Sequence, residues 1–159
     1  MHKQQALEVW GEDWTHDIEL IDEVIGRLKL PLDARILDVG TGFGVMTISL
    51  ALAGYSVLTG QPEAEDWQQS YKDKDWQDWV DWRDSARAFG VADKISFQHF
   101  DARALPFADS AFDAVFLYDA LQHIEDKKQA LQESLRVVRP GGLACAIEVN
   151  EHGAACYRE

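Results

Sequence analysis

Hydrophobic positions recur along the chain with two different periods. Between residues 15 and 30, Ile18, Ile21, Val24, Ile25 and Leu28 fall on one face at helical spacing. Thr15 reads as the N-cap, Asp17 and Glu19 suit the first turn, and Pro31 ends the helix. Arg35–Val39 is a short apolar run that predicts a buried strand, and residues 44–53 predict a helix stopped by Gly54. Further strands are expected at Tyr55–Thr59, Ile95–Phe100, Phe112–Leu117 and Leu143–Val149, with a helix over Lys127–Arg139. Residues 64–90 stand apart as a Trp- and Asp-rich insertion whose second half predicts a helix ending at Gly90.

Strand and helix alternate throughout, so the fold class is α/β: a doubly wound, mostly parallel sheet of about five strands with helices on both faces. The whole chain, 1–159, reads as one domain with residues 1–30 as an N-terminal helical cap. In such a sheet ligands bind at the carboxyl ends of the strands, beside the first strand. The stretch LDVGTGFGVM, residues 37–46, lies there.

Charge narrows the partners. Fifteen basic residues against twenty-eight acidic ones give a net charge of −13, which repels nucleic-acid phosphates and anionic lipid. No nucleic-acid partner is expected. Cys145 and Cys156 are too few for a disulfide framework, and neither they nor the five scattered histidines show metal-ligand spacing, so no metal is expected. No stretch approaches eighteen apolar residues and the N-terminus lacks a hydrophobic leader, which predicts a soluble, cytoplasmic protein with no membrane partner.

Gly40, Gly42 and Gly44 let the backbone turn sharply and bring a ligand close to the main chain. A dinucleotide fingerprint wants its third glycine three residues after the second, where this chain has Val45. Asp38, just ahead of the turn, repels a pyrophosphate and attracts a cationic or amino-bearing ligand. The spacing thus disfavours a nucleotide-dependent oxidoreductase.

ILDVGTGFG resembles the first motif of class I S-adenosylmethionine-dependent methyltransferases, and residues 95–148 are similar to that family in nearly every landmark. The resemblance implies a Rossmann-like sheet in the order 3-2-1-4-5 and S-adenosylmethionine as cofactor. It implies that Gly40, Thr41, Gly42 and Gly44 line the methionine half of the donor, with Asp38 near its amino group. Asp101 takes the place of the acid that bonds the adenine amino group, Ala102 sits beside the ring, and Tyr118 stands at the mouth of the cofactor site. Leu105–Phe107 matches the family's LPF turn, and Arg139–Gly142 the turn into the fifth strand.

Three departures qualify the match. The acid that holds the ribose is expected at Pro62, and Glu63, one place later, is read into that role. The insertion carries Trp67, Trp76, Trp79 and Trp82, read either as a helix stripe packed on the sheet or as an aromatic lid suited to a cationic acceptor, with Trp10 and Trp14 covering the other side. The family's usual C-terminal strand pair is lacking, which leaves residues 143–149 as a bare apolar edge and predicts a homodimer or a partner subunit there.

Methyl transfer needs position, exclusion of water and, for some acceptors, a base. His123 is the first candidate base, with Tyr118 nearer the cofactor and Glu148 and Asn150 also placed to face the acceptor. The expected function is methyl transfer from S-adenosylmethionine to a small-molecule acceptor. The alternative is a catalytically inactive subunit of the same fold that binds the cofactor or a protein partner.

Overall fold

The computed structural model describes residues 3–10, 18–62 and 81–148. They form α1 (Lys3–Trp10), α2 (Ile18–Leu28), β1 (Ile36–Val39), α3 (Val45–Leu52), β2 (Val57–Gly60), α4 (Trp82–Ala88), β3 (Ile95–Phe97), β4 (Phe112–Tyr118), α5 (Lys127–Val137) and β5 (Val138–Ile147). Single 3-10 turns precede β3 at Ala92–Lys94 and follow β4 at Leu121–His123.

All five strands pair in parallel, in the order β3-β2-β1-β4-β5. The chain order reverses beside β1, so a crevice opens between the carboxyl ends of β1 and β4. Because both faces of a parallel sheet are covered, β1 and β4 are apolar except at Asp38 and Asp113, and their side chains alternate between the two faces. Ile36, Ala114 and Phe116 join a core with α1, α2, α3 and α4, while Leu37, Val39, Val115 and Leu117 join a second core with α5 and the loop around Phe100–Leu105.

Element boundaries depart from the sequence expectation where tertiary contacts decide them. The described part of the insertion begins its helix only at Trp82, where the Asp81 carboxylate accepts from Arg83 N at 2.8 Å and caps it. The third strand stops at Phe97. The helix α5 ends two residues before Arg139, and Arg139–Gly142 is not a turn ahead of the last strand but a bulge within it. Val138 pairs with Phe112 and Leu143 with Ala114, so four residues bow out opposite Asp113 alone. Asp113 holds this bulge: its carboxylate accepts from Arg139 Nε and, at 2.7 Å, from Arg35 N. Those bonds, Arg139's first, keep the Asp113 carboxyl below its ordinary range.

The N-terminal helix α1 is tied to α4. Trp10 is buried, its ring lies 4.8 Å from that of Phe89, and its Nε1 donates to Ser85 Oγ at 3.1 Å. Trp10 is therefore a core residue of the helical layer rather than a cover for the ligand site. Thr15, Trp14, Glu63, Trp67, Trp76, Trp79, Asn150 and Cys156 lie outside the described residues.

The end of β2 admits no side chain at all. A Cβ on Gly60 would stand 2.0 Å from Gln98 O and 2.4 Å from the Phe100 ring. Gly60→Ala is expected to lower stability by about 3 kcal/mol, since a backbone carbonyl and a packed ring must both move. Urea unfolding measures this directly, and an unchanged midpoint would show that the β2–β3 approach is looser than described.

Candidate cofactor site

The carboxyl end of β1 carries Asp38 into the interior, where it is almost fully buried on the α3 side of the sheet. Its Oδ2 accepts from the hydroxyls of Thr47 on α3 and Thr59 on β2, the latter at 2.9 Å. Its Oδ1 has no hydrogen-bond partner. Burial is the dominant influence and pushes the carboxyl from 3.8 up to about 6, against the two hydroxyl bonds that pull it down. A buried carboxylate oxygen without a donor is an incomplete arrangement, and an ammonium group supplies the missing donor.

The glycine turn that follows is more differentiated than its sequence. Gly40, Gly42 and Gly44 all have positive φ, at 93°, 49° and 82°. A Cβ on Gly40 would lie 2.9 Å from Ala120 Cβ, and one on Gly44 would lie 2.9 Å from Trp82 Cβ. Only at Gly42 is the nearest atom a relaxed 4.0 Å away. Two of the glycines thus let neighbouring elements close on the turn, and the middle one presents open backbone. Thr41 is buried, its hydroxyl 2.8 Å from that of Thr59, so it faces inward and braces the turn against β2.

Gln61 was not signalled by the sequence. It follows β2 directly, and its Oε1 accepts from Gly42 N at 3.1 Å while Gly40 N donates to Gly60 O at 2.8 Å. The open glycine is therefore joined to the end of β2 by a neutral amide. A polar residue just past a strand that ends in glycine was the only available signal.

Asp101 and Ala102 occupy the loop after β3. Ala102 is buried in the second core, and Asp101 is half exposed with both oxygens bonded to Arg103. The Arg103 hydrogen bond is the main reason that the Asp101 carboxyl sits below its ordinary range. The rest of this loop is held by α5. Arg136 donates to both oxygens of Glu133, to the carbonyls of Leu105 and Phe107, and to Asp109 Oδ1, all within 3.0 Å. Glu133 in turn accepts from Leu105 N at 2.9 Å, and Ser110 N donates to Arg136 O at 3.0 Å. No local pattern showed that these two residues fasten a loop nearly thirty positions earlier.

β4 ends at Tyr118, half-buried against the first core, and Asp119 follows at a φ of 50°. The Leu121–His123 turn leaves His123 exposed. Glu148, one residue past β5, accepts from Ala120 N at 3.2 Å and Leu121 N at 2.9 Å. It is thus the anchor of the segment that bears His123. Tyr118, His123 and Glu148 come to the same end of the sheet as the glycine turn, at the carboxyl ends of β4 and β5.

Trp82 resolves its part of the insertion. It is buried, stacks on Phe97 at 5.6 Å, and presses its Cβ against Gly44. Arg83 covers both rings from outside, 4.6 Å from one centroid and 4.9 Å from the other. Trp82 is core, supporting the turn from behind.

Residues 37–146 match the model of a methyltransferase domain. The chain belongs to the class I S-adenosylmethionine-dependent methyltransferase family. It is 29% identical over 148 residues to the 27-O-demethylrifamycin SV methyltransferase of Amycolatopsis mediterranei, covering 85% of this chain and 50% of that protein. It is 33% identical to an O-methyltransferase of Aspergillus sclerotiorum, covering 87% and 46%. Among solved structures, a protein of Pyrococcus horikoshii superposes with a TM-score of 0.74 at 21% identity, covering 95% of this chain and 61% of that one. The (4+2)-cyclase SpnF superposes with a TM-score of 0.62 at 30% identity, covering 79% and 43%. The methyltransferase chain spans about half the length of the curated relatives it matches. Among its described residues, no helix is long and apolar enough to cross a membrane, and no group of three or more His, Cys, Asp or Glu is placed to hold a metal ion.

Asp38 yields a prediction with a definite sign. Its folded value, about 6, exceeds its ordinary 3.8, so the folded state binds this proton more tightly than the unfolded chain. Its contribution to stability is present below about pH 4 and is lost as pH rises through about 6, by about 3 kcal/mol at most. Asp38→Asn is expected to gain on the parent by up to about that amount between pH 4 and pH 7.5 in urea unfolding. A stability difference that does not change with pH would show that Asp38 carries no buried charge.

Proposed function

We propose that this chain is the donor-binding part of an enzyme that moves a methyl group from S-adenosylmethionine to a small-molecule acceptor. The observation that carries the reading is the unpartnered Oδ1 of Asp38 beneath the glycine turn, which suits the donor's ammonium group. In this reading Gly40, Thr41, Gly42 and Gly44 enclose the methionine end, Asp101 accepts from the adenine amino group and Ala102 lies against the ring. Glu63 is read as the residue that holds the ribose hydroxyls. Trp82 and Ala120 fix the turn's shape, so the donor meets a preformed backbone.

When bound, the donor's sulfonium supplies an electrophilic methyl carbon. The chain's own residues place the acceptor in line, keep water away and take up the acceptor's proton. His123 is the base, carried on the turn that Glu148 anchors, and Tyr118 orients the acceptor beside the donor. A hydroxyl-bearing acceptor fits this arrangement, because an alcohol or phenol needs its proton removed as the new bond forms. The names of the relatives, O-methyltransferases in several cases, support the same class. A second reading is favoured by the 30% identity to a cyclase: the same fold with methyl transfer silent in this chain.

We also keep the cytoplasmic placement and the homodimer as part of this proposal. The dimer is supported by the position of β5 at the sheet edge with residues 142–147 only partly covered among the described residues. Sedimentation at micromolar concentration is expected to give a dimer that Ala144→Lys dissociates, and a monomer at every concentration would remove the dimer from the reading.

Calorimetric titration tests the central claim. S-adenosylmethionine is expected to bind and NAD is not, with Asp101→Ala weakening the donor about tenfold or more through the lost charged hydrogen bond. Affinity is also expected to fall below about pH 6, as Asp38 takes up its proton. Tight NAD binding, or none of either ligand, would overturn the assignment. Donor binding without methyl transfer to any hydroxyl acceptor would select the second reading.

A further inference from the structure

Arg103 lies against the very carboxylate that the proposal above gives to adenine. Its Nε is 3.0 Å from Asp101 Oδ1 and 3.1 Å from Oδ2, its Nη2 is 2.8 Å from Oδ2, and its backbone N is 2.8 Å from Oδ1. A carboxylate offers about four acceptor sites. Oδ1 takes the Arg103 backbone N–H and Nε, and Oδ2 takes Nε and Nη2, so an incoming donor has to displace one of them. The guanidinium has somewhere else to go. Its Nη1 is 3.4 Å from Oε2 of Glu125, an exposed carboxylate, and Asp126 next to it adds to the same field. Arg103 therefore stands between two acidic partners, closely bound to one and loosely to the other.

We propose that Arg103 is a latch on the adenine subsite, closed on Asp101 in the donor-free chain and shifted toward Glu125 when the adenine amino group takes its place. The inference rests on Asp101 being the adenine acceptor. It makes Arg103 a specificity-determining residue. An exocyclic amino group is a donor and must compete with the guanidinium for Asp101. A base that carries a carbonyl at the same position, as hypoxanthine does, presents an acceptor that Arg103 meets directly. The latch thus narrows the preference for adenine that Asp101 alone would give.

The two side chains are 44% and 43% exposed, so the competition is modest and screened by salt. The test titrates S-adenosylhomocysteine and S-inosylhomocysteine into the parent chain and into Arg103→Ala, Glu125→Gln and Asp101→Ala, at about 0.05 M and about 0.5 M salt. Arg103→Ala is expected to bind the adenosyl ligand roughly two- to fivefold more tightly at low salt and the inosyl ligand more weakly. Raising the salt should bring the parent toward Arg103→Ala for the adenosyl ligand, and Glu125→Gln should weaken that ligand by removing the landing carboxylate. Equal or weaker adenosyl binding by Arg103→Ala would overturn the latch while leaving the subsite in place. If Asp101→Ala binds the adenosyl ligand as the parent does, the subsite reading itself fails and the latch with it.

Discussion

The buried carboxylate of Asp38 joins three elements, β1, β2 and α3, through side-chain hydrogen bonds. One oxygen takes hydroxyl bonds from α3 and β2, and the residue itself belongs to β1. Those bonds do not fully offset the loss of water, as the upward displacement of its ionisation shows. The fold tolerates this because apolar burial on both faces of β1 and β4 is extensive and continuous. An interior acid with one idle oxygen is an arrangement that the ammonium group of the proposed donor would complete, and a strand core of only Val and Leu would be more stable and inert.

Much of the architecture was legible in the sequence because it follows from periodicity. Apolar runs of strand length, separated by helical stretches and punctuated by Gly54 and Gly90, required a parallel sheet with layers on both sides. The glycine turn and its preceding acid were visible for the same reason, since both are local. Boundaries were less legible where a distant group sets them. The bulge at Arg139–Gly142 exists because Asp113, some twenty-six residues earlier, grips Arg139, and no local pattern announces that grip.

The glycine turn and Asp38 could be picked out in the sequence, but not what each residue packs against. Three equally spaced glycines looked alike, yet Gly40 and Gly44 are small so that Ala120 and Trp82 can approach, and Gly42 alone leaves backbone open. Trp82 had two readings, and burial against Gly44 and Phe97 chose between them. Gln61 and Arg136 act on backbone atoms that come close only through the crossovers, which is why composition and spacing passed over them, and Glu148, expected to face the acceptor, accepts from Ala120 N and Leu121 N. The Glu133–Arg136 spacing suggested at most an ordinary pair along one helix.

Arg136 divides its donors between two carbonyls, of Leu105 and Phe107, and two carboxylates, of Glu133 and Asp109, while Glu133 and the Arg136 carbonyl accept from N–H groups of the same loop. Apart from the bond to Asp109, these contacts are addressed to the main chain, so they do not depend on which side chains residues 105, 107 and 110 carry. The loop from Leu105 to Ser110 can accordingly change side chains at those positions while keeping its path. A lysine in place of Arg136 would preserve the charge and erase the path, because a single ammonium cannot point along several directions in one plane. The durable information about this loop's path is written in a neighbouring helix, at Glu133 and Arg136.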